Sequence, residues 1–430
     1  MARDRAQWPA RVERWRELAI LALVLIGAAA LPLLFRRDPA DMFRLPKLIA
    51  LRGEAILILF VTLASLLLGA SIPRIKWRET WVVLPLAVLA MFIVITVTST
   101  NRELSASALA SATATAIVFF ATVSAARSRG WILAIVPLIA AAINAILVIV
   151  EETNLWMPFG EQRGIPHHVQ CNALIGNPNE LGGYLGIAAL AAIAIVAARG
   201  GARPIAVAST LVIALLFSQT LTAIIAFAAA IFSMMALSSW RNALRAATMI
   251  AAAAVLLIAL VAPFRVRAMN TLHWIRTAQY NAIATERFTP FVAAWTMFAD
   301  HPITGVGPGA FSWQYFDHKL AAERRYPALR ETFNRGVNYG EVHNDHLQAL
   351  AEGGVIGYAA FVGLLAALGY LSFTIPRDAS DLRLRFARRM ALPLAIFCVV
   401  FSLAQFPMET TVVRGLLVHF AALCIGWRTI

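Results

Sequence analysis

The chain has 430 residues, of which 60% are hydrophobic and only 14% are charged, and its mean hydropathy is +0.72. A soluble globular chain carries about 25% charged residues, so this composition excludes a soluble domain and indicates a polytopic membrane protein. The formal net charge of +14 is explained by basic residues in membrane loops, and we expect no nucleic-acid partner. Three cysteines, Cys171, Cys398 and Cys424, support neither a disulfide framework nor a Cys-x-x-Cys metal site.

The chain begins with a basic leader followed by an apolar stretch, residues 18–35. This stretch is longer than the hydrophobic core of a signal peptide, which spans about 7–15 residues. We therefore predict an uncleaved signal anchor that forms the first membrane span.

Twelve segments are apolar over most of the about 20 residues that a helix needs to cross the hydrocarbon core. The predicted spans are 18–35, 55–72, 81–99, 104–124, 131–150, 180–198, 204–218, 221–238, 246–263, 354–373, 390–406 and 412–428. The run 204–238 is too long for one helix, and its polar triplet Ser218-Gln219-Thr220 predicts a tight turn between two short helices.

Basic residues orient the spans, because cytoplasmic loops carry an excess of Lys and Arg. With the N-terminus inside, the cytoplasmic loops hold 19 Lys and Arg, whereas the outer loops 100–103 and 407–411 hold one and none. Segment 36–54 is an exception with five basic and three acidic residues, and we expect it to fold onto the outer surface. The predicted division is spans 1–9 in residues 1–263, a periplasmic loop region with short helices in 264–353, and spans 10–12 in 354–430.

The large outer loop, 264–353, is nearly charge balanced and contains Trp, Tyr and Phe, so we expect it to be folded. Within it Arg287 heads an amphipathic stretch in which Phe291, Trp295 and Phe298 recur at helical spacing. The helix is predicted to stop at Asp300-His301-Pro302, before the glycine-rich turn "TGVGPGAF". The alternative interpretation is a helix lying on the bilayer with Arg287 reaching the interface.

The stretch "GEVHNDHLQALAEGGVIGY", residues 340–358, places His343 and His346 beside Glu341 and Asp345. Residues 342–352 fit a short helix that ends at Gly353-Gly354. A histidine can accept a proton from a hydroxyl near neutral pH, and either carboxylate could orient its ring. A catalytic zinc usually has three protein ligands and no third one is evident here, so we predict no metal; a structural histidine at the interface stays open.

A third polar cluster, "GEQRGIPHHVQCNALIGNPNELGGYLG", covers residues 160–186 at the outer start of the sixth span. Asn177-Pro178-Asn179 breaks the backbone there, with Asn179 as the predicted N-cap and Glu180 in the first turn. A capped helix explains these residues, but it does not explain Arg163 or the pair His167-His168.

Three stretches together, "GNPNELGGYL", "HPITGVGPGAF" and "HNDHLQALAEGGVIGY", resemble the bacterial O-antigen ligase and polymerase superfamily. The last one matches the ligase signature with His343, Asn344, nine residues, Gly354, Gly357 and Tyr358. The resemblance spans roughly residues 160 to 410. Each motif is short, and their order along the chain makes the set specific.

The resemblance implies an all-α, GT-C-like integral membrane glycosyltransferase of about twelve helices in the bacterial inner membrane. Such an enzyme transfers a glycan from undecaprenyl pyrophosphate, on the periplasmic face, to a hydroxyl of lipid A-core or another glycolipid. It needs neither metal nor cofactor, because the lipid pyrophosphate is already a good leaving group, and it inverts the anomeric centre. A polymerase of the same superfamily is one alternative; a polysaccharide or lipid transporter or flippase is another, although the chain has no convincing internal repeat.

By motif position, His343 corresponds to the catalytic histidine and Arg287 to an arginine that binds the donor pyrophosphate. The family usually has another essential arginine after a serine, where this chain has Ser218-Gln219. Arg163 and Arg414 are candidate replacements because each is expected near an outer helix end. The predicted supporting residues are Asn344, His346, Glu341, Asn177 and Asn179.

Overall fold

The computed structural model describes residues 2–37, 41–71, 79–128, 130–153, 155–156, 172–327, 329 and 339–429. These residues form helices joined by turns, with no β-strand among them. The helices are α1 (Ala2–Ala30), α2 (Arg44–Leu67), α3 (Thr80–Val97), α4 (Arg102–Ser128), α5 (Ile132–Glu152), α6 (Pro178–Arg199), α7 (Ala202–Phe217), α8 (Leu221–Ala236), α9 (Trp240–Leu260), α10 (Ala262–Arg276), α11 (Tyr280–Ile283), α12 (Phe288–Asp300), α13 (Phe311–Arg325), α14 (Asp345–Thr374), α15 (Leu382–Phe401) and α16 (Thr411–Arg428).

The predicted all-α integral membrane fold is confirmed. Within the described ranges, nine helices are long and apolar enough to cross a membrane: α1, α2, α3, α4, α5, α6, α9, α14 and α16. Every predicted span overlaps a helix, and the span 246–263 overlaps both α9 and the start of α10, while the total of twelve spans stays a prediction. The predicted turn in the run 204–238 is confirmed, because α7 ends at Phe217, α8 begins at Leu221, and Gln219 between them has a φ of 52°.

Helix α6 lies at the centre of the bundle, with every side chain from Leu181 to Ala192 buried. Small residues let its neighbours approach closely. Gly183 and Gly186 lie directly against the rings of Phe401 and Phe397 on α15, where a Cβ would collide with each ring. This packing fixes the start of α6 against the C-terminal end of α15.

Helix α2 begins at Arg44, eleven residues before the predicted span at 55. The expectation that segment 36–54 folds onto the surface is therefore wrong from Arg44 onward. Its charges have partners inside the bundle: Lys47 donates to the carbonyl of Leu174 at 2.6 Å, and Arg52 donates to Ser107 and Ser111. Hydropathy alone could not identify this part of α2, because the partners come from distant segments.

The outer loop region is folded around a small core of its own, as predicted. Buried side chains from α12, α13, the start of α14 and the segments that connect these helices form that core: Ala293, Ala294, Met297, Val306, Ala310, Phe311, Tyr315, Val342 and Ala351. The predicted amphipathic helix is also confirmed as α12, which follows Arg287 and ends at Asp300. The core holds Val342, and so the residue after it, in a fixed position.

A break in α14 joins this region to the membrane bundle. Gly354 has a φ of 60° and a ψ of −158° inside the helix, and a Cβ there would collide with the backbone of Ile303. The backbone amides of Val306 and Gly307 donate to the carbonyls of Ala351 and Glu352, at 2.9 and 3.0 Å. The glycine-rich turn therefore supplies hydrogen bonds that the broken helix lacks.

Candidate functional site

His343 lies immediately before α14, in a backbone conformation with a φ of 60°. The expected helix over 342–352 is wrong in its first turn, because Asn344 is the N-cap of α14. Its side-chain oxygen accepts from the amide of Leu347 at 3.0 Å, and its amide nitrogen donates to the carbonyl of Leu403 at 2.9 Å. A left-handed non-glycine residue costs of order 1–3 kcal/mol, so this cap and the small core keep His343 in place.

Two aromatic rings position the imidazole of His343. Its ring centroid lies 4.6 Å from that of Phe406 and 5.7 Å from that of Tyr339, both edge to face. Its Nδ1 is buried and has no hydrogen-bond partner among the described residues. The expectation that Glu341 or Asp345 orients the ring is therefore wrong.

Each of these carboxylates is held by other groups. Glu341 forms an ion pair with Arg44, and Asp345 accepts hydrogen bonds from the hydroxyl of Ser402 at 3.2 Å and the amide of Met408 at 3.0 Å. A charge-assisted bond to a guanidinium is stronger than one to a neutral imidazole. Neither acid is left to bind His343.

The electrostatic surroundings keep His343 neutral. Burial lowers the pKa of His343 to about 3, with further lowering by the positive charges of Arg287 and Arg44. A neutral imidazole can accept a proton, but nearby cations oppose the charge that would result. An anion bound between the two arginines would remove that opposition.

Arg287 lies at the start of α12 and reaches across to the loop between α15 and α16. Its Nη1 donates to the carbonyl of Ala404 at 2.9 Å. Burial, followed by the charge of Arg267, lowers the pKa of Arg287, whereas Tyr339 acts in the opposite direction. Arg287 and Arg44 place two positive charges near His343, as an anion-binding site requires.

Arg44 is a second cation of the site, and sequence reasoning missed it. It forms ion pairs with Glu180 at 2.6 Å and Glu341 at 2.7 Å, and its guanidinium lies 5.3 Å from the ring centroid of Phe406. The same Phe406 ring contacts His343. The sole signal in the sequence was the unusual density of basic residues in segment 36–54.

Glu180, which forms an ion pair with Arg44, lies in the first turn of α6. The N-cap is Asn177, not Asn179 as predicted: its side chain accepts from the amides of Asn179 at 2.9 Å and Glu180 at 3.4 Å. Pro178 takes the first helical position, which suits a residue without an amide hydrogen. Asn179 lies beside Glu180 and Phe406 in a small crevice.

The side chain of His346 packs on α15, away from the ion pairs of Arg44. Its Nε2 lies 3.0 Å from the carbonyl of Val399, and its ring contacts Tyr358 and Phe361. These contacts attach α14 to α15 and give His346 a structural role. The described residues contain no group of three His, Cys, Asp or Glu arranged to hold a metal ion.

The other candidate cations, Arg414 and Arg163, differ in what the structure shows of them. Arg414, on α16, donates to the carbonyl of Met408, and its Nε has no partner among the described residues. Arg163, together with His167 and His168, lies outside the described residues. Gln219 donates to Glu152 at 3.3 Å, so that turn presents a neutral side chain.

A cavity of about 680 Å³ opens beside the site, between α2, α3, α4, α14 and α16. Arg44 and Glu341 line it, whereas His343 and Arg287 do not. The site therefore has two parts: His343 with Arg287, and the cavity. The Arg44–Glu341 ion pair lies at their boundary.

Comparison with known families found a match. The family model described as O-antigen ligase matches residues 205–362, a segment that contains Arg287, His343 and the broken part of α14. The match confirms the resemblance to the superfamily. No curated protein matches the chain at a significant level.

Proposed function

We propose that this chain, whose residues 205–362 match the O-antigen ligase family model, transfers a glycan from a lipid-linked donor to an acceptor hydroxyl. The donor is a glycan on undecaprenyl pyrophosphate, and the acceptor is lipid A-core or another glycolipid. We place the reaction at the periplasmic face of the bacterial inner membrane. The observation that carries the proposal is His343 held beside Arg287 and Arg44 at one end of the helix bundle.

Arg287 and Arg44 bind the donor pyrophosphate. Guanidinium groups form paired, charge-assisted bonds to phosphate oxygens. Because negative charge grows on the leaving oxygen as the glycosidic bond breaks, these bonds are stronger in the transition state than in the ground state. Arg44 is held by two carboxylates, which fix its direction before the donor arrives.

His343 accepts the proton of the acceptor hydroxyl. The hydroxyl oxygen attacks the anomeric carbon from the face opposite the pyrophosphate, the carbon–oxygen bond to phosphate breaks, and the pyrophosphate leaves with the electron pair. Attack from the opposite face inverts the anomeric centre, and the proton of the hydroxyl passes to His343 and then to solvent. A bound pyrophosphate offsets the charges of Arg287 and Arg44, and it thereby raises the proton affinity of His343 at the moment when a base is needed.

Transfer by the purified protein in lipid nanodiscs tests the proposal, with a defined lipid-linked donor. His343→Ala should abolish transfer, while the matched control His273→Ala, on the exposed side of α10, should retain it. Lipid A-core and a second lipid-linked repeat, offered separately, distinguish a ligase from a polymerase. Full activity of His343→Ala would reject this role, and strong inhibition by EDTA would indicate a metal-dependent mechanism instead.

A further inference from the structure

The cavity beside the site has charged groups at one end and apolar walls along the rest. The charged lining residues are Asp41, Arg44, Arg52, Glu341, Asp345, Glu352, Glu409 and Arg414. On α16 the lining continues from Arg414 to Ile425, which is about 16 Å along a helix with a 1.5 Å rise per residue. A ligand that fills it has a polar head and an apolar chain.

Several polar groups at the outer end of the cavity can form hydrogen bonds with a ligand. The Nε atoms of Arg52 and Arg414 have no hydrogen-bond partner among the described residues, and both side chains line the cavity. Glu409, between α15 and α16, is accessible and lines this volume, and its removal from bulk solvent raises the pKa of its carboxyl group. Guanidinium groups donate to oxygen and a carboxylate accepts from hydroxyls, a combination that suits a hydroxyl-rich head group.

The same charges disfavour the pyrophosphate of the donor. Five carboxyl groups line the cavity, those of Asp41, Glu341, Asp345, Glu352 and Glu409, against three guanidinium groups, so the lining does not have the excess of cations that a pyrophosphate site requires. His343 and Arg287 lie outside the lining of the cavity. The cavity and the pyrophosphate site therefore bind different substrates of the reaction.

Helix α3 forms the wall between the cavity and the bilayer. Nine of its residues, from Thr80 to Ile95, line the cavity, and Ile95 is the buried residue of that helix. It packs on α4 and α14, with the rest of its surface apolar. A lipid chain that replaces bilayer contacts by contacts with this wall loses little hydrophobic stabilisation.

We propose that this cavity is the acceptor site: Glu409, Arg52 and Arg414 bind the hydroxyl-bearing head group of a glycolipid, and its apolar chain lies along α3 and α16. This inference rests on the proposed glycan transfer. The Arg44–Glu341 boundary then separates the acceptor from the pyrophosphate, and the attacking hydroxyl reaches His343 across it. A volume of about 680 Å³ is that of a pocket for a single small ligand, so it holds a head group and part of one chain.

Transfer kinetics of two variants test the site. Glu409→Gln removes the charge of the carboxylate, and Ala112→Trp fills the apolar part of the cavity. Each should raise the KM for the acceptor roughly tenfold or more, because Glu409→Gln weakens a charge-assisted hydrogen bond and Ala112→Trp occupies the space of the apolar chain, while the KM for the donor stays within about twofold. Matched controls that do not line the cavity are Glu103→Gln and Ala110→Trp, both exposed on α4.

A raised donor KM with an unchanged acceptor KM would overturn the proposal and assign the cavity to the lipid carrier. Unchanged KM values for both substrates in both variants would also overturn it. If Ala112→Trp misfolds, as shown by a broad elution profile, Glu409→Gln still decides the question.

Binding without transfer separates this inference from the proposed function. Native mass spectrometry of the intact protein with lipid A-core, and separately with glycan-free undecaprenyl pyrophosphate, measures each lipid alone. Loss of lipid A-core binding in Glu409→Gln supports the acceptor site even if the wild-type protein transfers no glycan. Equal lipid A-core binding by wild type and both variants rejects the acceptor site.

Discussion

Arg44 and Glu341 are 297 positions apart in the sequence, and the Arg44 Nη1 lies 2.7 Å from the Glu341 Oε1. The pair ties the outer end of α2 to the segment that carries His343. Glu180 holds the same guanidinium from α6, so three distant parts of the chain meet at one cation. The geometry around His343 therefore depends on a residue outside the matched segment.

Replacing Arg44 should impair both donor binding and the fold near His343. In Arg44→Gln we expect the donor KM to rise at least about tenfold, because a phosphate contact of 1.5–3 kcal/mol is lost, and the melting temperature to fall, because Glu180 and Glu341 lose their cation. Arg44→Lys should recover stability better than donor affinity, since lysine lacks the planar fork. Arg102→Gln, an exposed change at the start of α4, serves as the control, and an unchanged donor KM in Arg44→Gln would remove Arg44 from the pyrophosphate site.

Arg44 also illustrates what sequence could and could not predict. Periodicity identified helices that bury one apolar face, including α12 after Arg287, because their pattern is local. Motif spacing identified His343 and the break at Gly354. The sequence did not predict Arg44 as a site residue, because its partners lie on α6 and before α14. The charged start of a membrane helix also has no apolar pattern.

The N-cap of α6 shows the same limit at shorter range. Asn177 and Asn179 both precede an acidic first turn, and sequence reasoning chose the second. Proline at the first helical position fixes the cap one residue before it, so Asn177 was the better choice. The ion pair between Glu180 and Arg44 depends on this register.

Asn344 should act on catalysis through the position of His343. Asn344→Ser keeps a side-chain oxygen that can cap α14, whereas Asn344→Ala removes it at a cost of roughly 1 kcal/mol. We expect transfer in the order wild type, Ser, Ala, with kcat affected more than either KM, because the imidazole shifts while the substrate contacts stay. Equal kcat values for wild type and Asn344→Ala would show that the cap does not position His343.

Gly354→Ala should destabilise the protein, because its φ of 60° costs an alanine of order 1–3 kcal/mol and the new Cβ collides with the backbone of Ile303. The glycine-rich turn would have to leave α14, and His343 would lose part of its support. Gly363→Ala, in the same helix with open space around it, should be neutral or slightly stabilising. Thermal unfolding in detergent compares the two, and similar melting temperatures would contradict the interlock between Gly354 and Ile303.

The pH dependence of transfer should show the effect of Arg287 and Arg44 on the pKa of His343. The base must be neutral, and the pKa of His343 in the free protein is lowered to about 3, so this group should leave kcat/KM flat down to acidic pH. Bound pyrophosphate offsets Arg287 and Arg44, so the acidic limb of kcat should lie at higher pH than that of kcat/KM. Arg287→Gln should move the limb of kcat/KM upward, whereas Arg102→Gln should not, and coincident limbs in wild type and Arg287→Gln would exclude coupling between Arg287 and His343.

The same lowered pKa makes folding stability depend on pH. An unfolded chain has a histidine pKa of about 6.5, so between that value and about 3 the unfolded state binds a proton that the folded His343 does not. The contribution of His343 to stability is therefore complete above about pH 6.5 and is lost as the pH falls toward 3. His343→Gln should reduce the fall in melting temperature between pH 6.5 and 4.5, while His273→Gln, an exposed histidine, should leave it unchanged. If wild type and His343→Gln lose stability equally over this range, then His343 is not held neutral by its surroundings.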